Sequence, residues 1–314
     1  MPTDFPLHFT RLQDVAVVSV EGADATGFLQ AQLSRDLRLV GEDEFGLGAW
    51  HSPSGRVWAV FRLLRIEAGW LLVSDRDGLA ETVASLSRYV LRDEVRIQEA
   101  VELQVAALAG NAERWLSDSG VALGANAGRC TSAFGFEWLR IGAELLHVIG
   151  ERSALARIGA DLPPADADVA IAAEIALGLP SLATPLRDRF VPQMLNLDLL
   201  GALDEDKGCY PGQEVIARTR NLGAVKRRMQ RFSSLSTRVP APGAVLVDGR
   251  GEAAGEVVRA AASGAGIELL GIVRLAALEG ALYCAEDTAA QLRHEPLPYD
   301  AAITRPPASD AGTE

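Results

Sequence analysis

Cysteine is scarce in this chain, and what is missing around the three cysteines excludes several classes of protein. Cys130, Cys209 and Cys284 lie far apart, so the sequence has no CxxC pair and none of the spacings of zinc sites or ferredoxin clusters. Disulfide bonds are not expected, which favours a reducing cytoplasm. No apolar run has the length of a membrane span, and residues 1–10 lack the basic start and apolar core of a signal peptide. We therefore predict a soluble, cytoplasmic protein that does not bind membranes.

Positive charge is also in short supply. The net charge of −12 argues against a general nucleic-acid binder, which needs a basic footprint. One local exception, which we call the basic cluster, consists of Arg218, Arg220, Lys226, Arg227, Arg228 and Arg231. The cluster is either a solvated helix face or a seat for an anion. A polyglutamate tail, a phosphate and a stretch of RNA backbone all fit the second reading, and composition does not choose among them.

The most informative stretch is the octet Lys-Gly-Cys-Tyr-Pro-Gly-Gln-Glu at residues 207–214, which we call the signature loop. It predicts a glycine-flanked turn that leads directly into a helix, with Pro211 at the first helical position, where a missing N–H costs nothing. Glu214 would then lie in the first turn, where a carboxylate complements the helix dipole. Arg218 follows four residues later on the same face.

Cys209 is the predicted chemical centre of this loop. An ammonium on Lys207 and free N–H groups near Gly212 and Gln213 would favour the thiolate, which is a better nucleophile and metal ligand than a thiol. We therefore predict Cys209 as the reactive group and Lys207 as its activator. The loop residues expected to shape the site are Gly208, Tyr210, Gly212, Gln213 and Glu214. The alternative is a buried cysteine that only fills space.

The chain contains an internal similarity. Residues 64–73 and 139–148 are identical at six of ten positions and lie 75 residues apart. Each copy is a strand, a turn and a strand that lead into a helical pattern, which predicts two related α+β modules. From Phe232 onwards, glycines separate short β-rich runs, a pattern typical of a small antiparallel barrel or sandwich.

The signature loop resembles the hallmark of the folate-binding YgfZ/GcvT-like family, in its YgfZ branch. Further matching motifs follow in order, so that the resemblance covers about residues 12–300; they lie at residues 22–24, 28–33, 55–56, 89–93, 178–180, 190–198 and 223–228. The resemblance implies an α+β, three-domain, cloverleaf-like fold, in which two interlaced ferredoxin-like α+β domains and a C-terminal antiparallel β-barrel surround a central folate channel.

The domain boundaries expected from this resemblance are as follows. Residues 1–50 with 175–231 form a first α+β domain that includes the signature loop. Residues 51–174 form a second α+β region, for which an interlaced duplicated module is one reading. Residues 232–300 form the barrel, and residues 301–314 a disordered tail.

The family has two functional branches. One contains the aminomethyltransferase of the glycine cleavage system, which passes a one-carbon unit to tetrahydrofolate. The other contains YgfZ-type proteins, which use tetrahydrofolate and support maturation or repair of [4Fe–4S] enzymes, including one that methylthiolates tRNA. Residues 57–61 lack the catalytic acid of the transferases, and Ala176 stands where they carry a glutamate that contacts the pterin. Cys209 fits the YgfZ branch, since transferases usually lack a cysteine there.

The resemblance therefore predicts a folate-binding accessory factor for iron–sulfur protein maturation, with tetrahydrofolate or a derivative as cofactor and tRNA involved at most indirectly. One thiol cannot hold a [4Fe–4S] cluster, so Cys209 would share a transient cluster with a client enzyme or cluster carrier. A one-carbon transferase and a non-catalytic folate-sensing module are the alternatives, and whether a reaction is catalysed stays open. A monomer is expected.

Five residues are candidates for binding the folate itself. Asn196 and Asp198 suit hydrogen bonds to a pterin, or else cap a short helix. Arg56, Arg218 and Arg228 suit the carboxylates of the folate tail, with a structural ion pair as the alternative for Arg56.

Two further residue types lie near these candidates. His51, beside the turn at residues 52–55, is a lesser candidate for lining the channel. Trp50, Trp58 and Trp70 are expected in the core, because they lie in alternating strand patterns.

Overall fold

Two five-stranded antiparallel sheets and a closed six-stranded barrel make up the fold, in a computed structural model that describes residues 6–204, 206–221 and 225–299, without the side chains of 219–221. The first sheet contains β2 (Val15–Glu21), β3 (Phe45–His51), β4 (Val57–Ile66), β5 (Gly69–Asp75) and β6 (Arg96–Glu99), in the order β3-β4-β5-β2-β6. Its helices are α1 (Ala25–Gln32) and α2 (Leu79–Ser87).

The second sheet contains β1 (His8–Leu12), β7 (Leu103–Ala109), β8 (Cys130–Ala133), β9 (Phe136–Gly142) and β10 (Leu145–Glu151), in the order β1-β7-β10-β9-β8. Its helices are α3 (Glu113–Ser119) and α4 (Arg152–Ala160). The apolar run of β2 explains how the two sheets stack. Val18 and Val20 pack with α1 and α2, whereas Val15 and Val17 pack with residues of the second sheet. A strand buried on both faces loses the usual polar alternation.

The predicted internal similarity is a structural duplication. Residues 64–73 lie in the β4–β5 hairpin and residues 139–148 in the β9–β10 hairpin, and each hairpin is followed by a helix. The two sheets have matching strand orders except for where one edge strand comes from. β1 precedes β2 in the chain but pairs with β7, and β6 completes the first sheet. The modules are therefore interlaced, as expected.

The predicted boundary between residues 50 and 51 does not separate these sheets. β3 and β4 pair along their length as a single hairpin, so the first sheet has strands on both sides of that boundary. β1 lies in the second sheet although residues 1–50 were assigned to the first domain. Backbone hydrogen bonds across the hairpin therefore correct the prediction.

The segment between the sheets and the barrel contains short helical elements joined by irregular chain. It contains α5 (Ala167–Ala176), two 3₁₀ turns (Thr184–Leu186 and Pro192–Leu195) and α6 (Gln213–Asn221). Its apolar side chains form a core with Ala49 and Val57 of the first sheet and Met229 and Leu270 of the barrel. The segment thus fixes the barrel against the first sheet.

The barrel confirms the prediction made from the glycine-rich C-terminal region. Its strands are β11 (Arg227–Ser234), β12 (Val245–Asp248), β13 (Ala253–Ser263), β14 (Gly266–Arg274), β15 (Leu282–Cys284) and β16 (Asp287–Glu295), closed in the order β11-β14-β13-β12-β15-β16. The 3₁₀ helix Leu275–Glu279 connects β14 to β15. The predicted tail at residues 301–314 lies outside the described residues. Within the described part of the chain, no helix is both long and apolar enough to cross a membrane.

Candidate functional site at the signature loop

Residues 33–36, just after α1, hold the chain that enters the signature loop. The Ser34 hydroxyl donates to the Ala202 carbonyl oxygen at 2.7 Å. The Asp36 N–H donates to the Asp204 carboxylate at 2.7 Å, and the Arg35 guanidinium lies 3.2 Å from the same group. These contacts join residues far apart in sequence, so the entry to the loop is fixed by tertiary structure.

Lys207 is the last anchor before the loop. Its buried ammonium donates to the main-chain oxygen of Leu33 and, at 3.0 Å, to that of Arg35. The same nitrogen lies 5.2 Å from the centre of the Tyr210 ring, within the range of a cation–π contact. Burial lowers the pKa of Lys207 to about 8, against the opposing effect of nearby Asp36 and Asp204. No hydrogen bond between the described atoms of Lys207 and Cys209 is observed. The role of Lys207 as activator of the thiol stays a prediction.

A contact between two buried aromatic rings joins the signature loop to β3. The Tyr210 ring lies 5.8 Å from the His51 ring, and both side chains are buried. Burial, together with the charge of Lys207, lowers the pKa of His51 to about 3, so this imidazole is neutral at pH 7. Neither of its ring nitrogens has a hydrogen-bond partner among the described residues. His51 therefore contributes to the signature loop by packing against Tyr210.

At the other end of the loop, the backbone of Gly212 packs directly against that of Gly55 in the 52–55 turn. Gly212 has a φ of +76° and Gly55 a φ of +73°, both in the left-handed region that glycine tolerates best. A Cβ on Gly212 would lie 2.5 Å from the Gly55 Cα and 2.7 Å from the Ser52 oxygen. The two backbones are thus in direct contact, and a side chain at position 212 would prevent this contact.

Helix α6 begins at Gln213, and the prediction that Pro211 occupies its first position is wrong. The left-handed conformation of Gly212 interrupts the helical dihedral angles, so the helix cannot start earlier. Glu214 does lie in the first turn, as predicted. The Gln213 N–H donates to the Tyr210 oxygen at 3.2 Å, which closes the turn.

Cys209 is exposed, between these two fixed ends. The alternative of a space-filling cysteine is therefore wrong for Cys209. It describes Cys130 and Cys284 instead, which are buried, and burial raises the pKa of each of these thiols to about 11. Of the three thiols, only that of Cys209 is exposed to solvent, and the other two are buried.

Three folate candidates meet, but they bind one another. Arg228 donates to both carboxylate oxygens of Asp198, at 3.0 and 2.8 Å, and to the Gln193 main-chain oxygen. The Asn196 amide donates to the Met229 oxygen at 2.8 Å. Asn196 ends the 3₁₀ turn Pro192–Leu195 with a φ of 57°. In this arrangement the group ties that turn to β11.

The remaining basic candidates lie apart. Arg56 donates to the main-chain oxygen of Arg189, and Arg218 is exposed on α6. Within the basic cluster, Arg228 is paired with Asp198, and Arg231 lies 3.0 Å from Glu268. Lys226 and Arg227 are exposed, and the Arg220 side chain lies outside the described residues. The cluster is thus partly neutralised by its own neighbours.

The sequence analysis missed a buried charged junction. Glu174 on α5 is 2% exposed and accepts hydrogen bonds from Arg62 of β4 and Arg259 of β13, with His147 of β10 at 3.5 Å. Burial alone would raise the pKa of Glu174, but the two guanidiniums outweigh it and lower the pKa to about 2. The available signal was that Arg62 interrupts the apolar run 57–64 of β4 and that Glu174 interrupts the apolar run 169–176 of α5. The junction joins both sheets to the barrel.

Curated relatives match most of the chain, although no protein-family model does. The tRNA-modifying protein YgfZ of Cronobacter sakazakii is 29% identical over 307 residues, covering 94% of this chain and 93% of its own length. The YgfZ proteins of Klebsiella pneumoniae and Aliivibrio fischeri are 28% identical over 306 residues and 26% identical over 250 residues; they cover 94% and 77% of this chain and 93% and 76% of their own lengths.

A solved structure matches the fold. The glycine cleavage system aminomethyltransferase T of Bartonella henselae superposes with a TM-score of 0.76 at 17% identity, covering 94% of this chain and 86% of that one. At this identity the match establishes the fold alone. Together with the curated relatives, it confirms the resemblance predicted from the signature loop: the chain is YgfZ-like along most of its length and has the GcvT-like fold.

Proposed function

We propose that this chain is a YgfZ-type accessory factor that supports the maturation or repair of [4Fe–4S] proteins. The observation that carries the proposal is the position of Cys209, an exposed thiol on a loop that is fixed at both ends. Relatives named as tRNA-modifying proteins support a link to tRNA modification. In this proposal the link is indirect and runs through an iron–sulfur client that modifies the RNA.

In this proposal Cys209 supplies one ligand to an iron–sulfur cluster that belongs to another protein and is bound only transiently. Among the described residues no group of three or more histidines, cysteines or carboxylates is placed to hold a metal. A [4Fe–4S] cluster is usually held by four thiolates, so the other ligands come from a client enzyme or a cluster carrier. A thiol on a fixed, exposed loop can contact a cluster on another protein without unfolding its own scaffold.

Folate binding is a second, separable part of the proposal, and the GcvT-like fold supports it. The fit to the described residues is poor in this arrangement. Asn196, Asp198 and Arg228 are engaged with one another and with main-chain groups. The cavity beside Glu174, where the first sheet meets the barrel, has a volume of about 20 Å³, which is room for about one water molecule. The chemistry proposed for Cys209 therefore involves no folate.

Complementation in cells tests the function of the thiol. In a bacterium that lacks its own YgfZ, the wild-type chain should restore the activity of [4Fe–4S] enzymes and the level of methylthiolated tRNA. Cys209→Ala should fail at equal protein abundance. Cys130→Ala removes a buried thiol instead and should restore both readouts. Full restoration by Cys209→Ala would overturn the proposal.

Calorimetric titration of tetrahydrofolate into the purified protein tests the folate part. Since Asp198 holds Arg228, binding of folate there requires this pair to open. The folate part therefore predicts saturable binding that Asp198→Asn strengthens, because that substitution weakens the pair. Absence of binding would remove folate from the proposal and leave the role of Cys209 standing. Turnover of methylene-tetrahydrofolate by the pure protein would favour a one-carbon transferase instead.

A further inference from the structure

An acidic groove opens where the two sheets meet. Its walls carry the carboxylates of Glu21, Glu67, Glu102 and Glu137, and its floor includes Leu103 and Ile149. The groove encloses about 470 Å³. It lies at the Ile66 end of β4, whereas the signature loop packs near the Val57 end, and a strand of this length spans roughly 30 Å. The groove is therefore a surface distinct from the one that carries Cys209.

None of the four carboxylates of the acidic groove forms an ion pair with a described residue, and no lysine or arginine is found among its described lining residues. Cationic side chains lie near two of them: Arg96 is opposite Glu21 in the β2–β6 pairing, and Glu102 lines a neighbouring pocket with Arg11 and Arg152. Other partly buried acids are ion-paired, such as Asp198 with Arg228 and Glu268 with Arg231. Carboxylates concentrated in a cleft attract cations more strongly than the same charges spread over a surface.

Ser19 points to a ligand independently of this charge. Its side chain lines the groove and is 4% exposed, yet its hydroxyl has no hydrogen-bond partner among the described residues. Burying a hydroxyl without a partner costs free energy of folding, and buried polar groups are normally satisfied. A polar group of an occupant would supply the missing bond.

Apolar side chains lie beside the carboxylates in the lining of the groove. Ile66 and Leu71 line it from the first sheet, and Leu103 and Ile149 line it from the second. An occupant therefore meets apolar surface as well as negative charge.

We propose that the acidic groove docks a basic segment of a partner protein that also carries apolar side chains. Lysine or arginine side chains of the segment pair with the four carboxylates, and its apolar side chains contact Ile66, Leu103 and Ile149. The apolar surface distinguishes this occupant from a polyamine, which has only cationic groups to offer. A bound segment would contact both sheets at once, because the walls come from both modules.

A peptide-binding measurement tests the charge requirement. The probe is a fluorescein-labelled twelve-residue peptide of alternating lysine and leucine, whose anisotropy is followed as full-length protein is added. Reversing two groove charges with Glu67→Lys and Glu102→Lys should weaken binding by about tenfold or more. The matched control, Glu144→Lys with Glu279→Lys, changes the net charge equally outside the groove and should weaken it less than about twofold. Equal weakening by both variants would overturn the proposal, as would a probe that does not bind the wild-type chain.

The apolar requirement has its own variants. Ile66→Ser replaces a partly buried apolar side chain of the lining with a polar one and should weaken peptide binding several-fold. Ser19→Ala removes the unpaired hydroxyl, so it should stabilise the free protein and weaken binding. Unchanged binding in both variants would overturn the assignment of these contacts. Spermine that binds as tightly as the peptide would overturn the choice of a protein segment.

Discussion

At the scale of single residues, the structure separates the thiol from the group predicted to activate it. Cys209 is exposed, whereas the Lys207 ammonium is buried on the oxygens of Leu33 and Arg35. The sequence identified both residues, because their spacing is local. It could not identify the partners of Lys207, which lie more than 170 positions away in the chain.

Replacing Lys207 tests whether it anchors the loop. Lys207→Met keeps the length of the side chain but leaves two main-chain oxygens without their donor. We expect the free energy of unfolding in urea to fall by about 1–3 kcal/mol, the cost of leaving buried acceptors unpaired. Lys226→Met, at an exposed lysine, is the matched control and should change it by less than about 0.5 kcal/mol. Equal stability of Lys207→Met and wild type would show that these bonds are not needed.

At the scale of elements, the signature loop depends on the turn at residues 52–55. Both segments are recognisable in the sequence from their glycines, and so are the repeated hairpins. The contact between Gly55 and Gly212 leaves no local trace, because it joins two backbones far apart in the chain. The start of α6 was misplaced for a related reason, since the left-handed conformation of Gly212 is imposed by this contact as well as by the turn.

Replacing either of two loop glycines with alanine should affect the free energy of unfolding very differently. Gly212→Ala places a Cβ 2.5 Å from the Gly55 Cα at a positive φ, so we expect a loss of at least about 1–3 kcal/mol in thermal or urea unfolding. Gly208→Ala meets no heavy atom within 4 Å and should be tolerated. If both variants unfolded alike, the packing of the loop on the 52–55 turn would not be a source of stability.

At the scale of the whole molecule, the buried junction around Glu174 joins both sheets and the barrel. The resemblance predicted the three-domain fold, and the duplication was visible in the sequence. The ion network was not predicted, because its members come from four separate elements. Strand pairing across residue 50 was missed for the same physical reason: hairpin partners are set by tertiary context as much as by local pattern.

Neutralising Glu174 should destabilise the assembly of the three parts. Glu174→Gln leaves Arg62 and Arg259 without their buried counter-charge, and removing one partner of such a network costs about 3–5 kcal/mol. Glu268→Gln, which breaks a more exposed pair with Arg231, should cost less than about 1 kcal/mol. Differential scanning calorimetry measures both. A loss for Glu174→Gln no greater than for Glu268→Gln would contradict the role of the junction.

His147 gives the junction a pH dependence. Burial lowers the pKa of His147 to about 3 from its ordinary value of 6.5, so between these values the unfolded chain binds a proton that the folded chain does not. Stability should therefore fall as the pH drops from 6.5 towards 3. Between pH 6.5 and 5, above the range in which most carboxylates titrate, His147→Gln should show a shallower loss than wild type in urea unfolding. An identical slope would place the dependence elsewhere, for example on His51.

The central claim is that Cys209 supplies one thiolate to a cluster whose other ligands come from outside the chain. Its most direct test is Mössbauer spectroscopy of the purified protein mixed, without oxygen, with a ⁵⁷Fe-labelled [4Fe–4S] cluster held by a small thiol, followed by removal of unbound cluster. We predict a [4Fe–4S] signal retained by wild type and by Cys130→Ala, and lost in Cys209→Ala. A signal of equal strength in Cys209→Ala, or none in wild type, would contradict the claim.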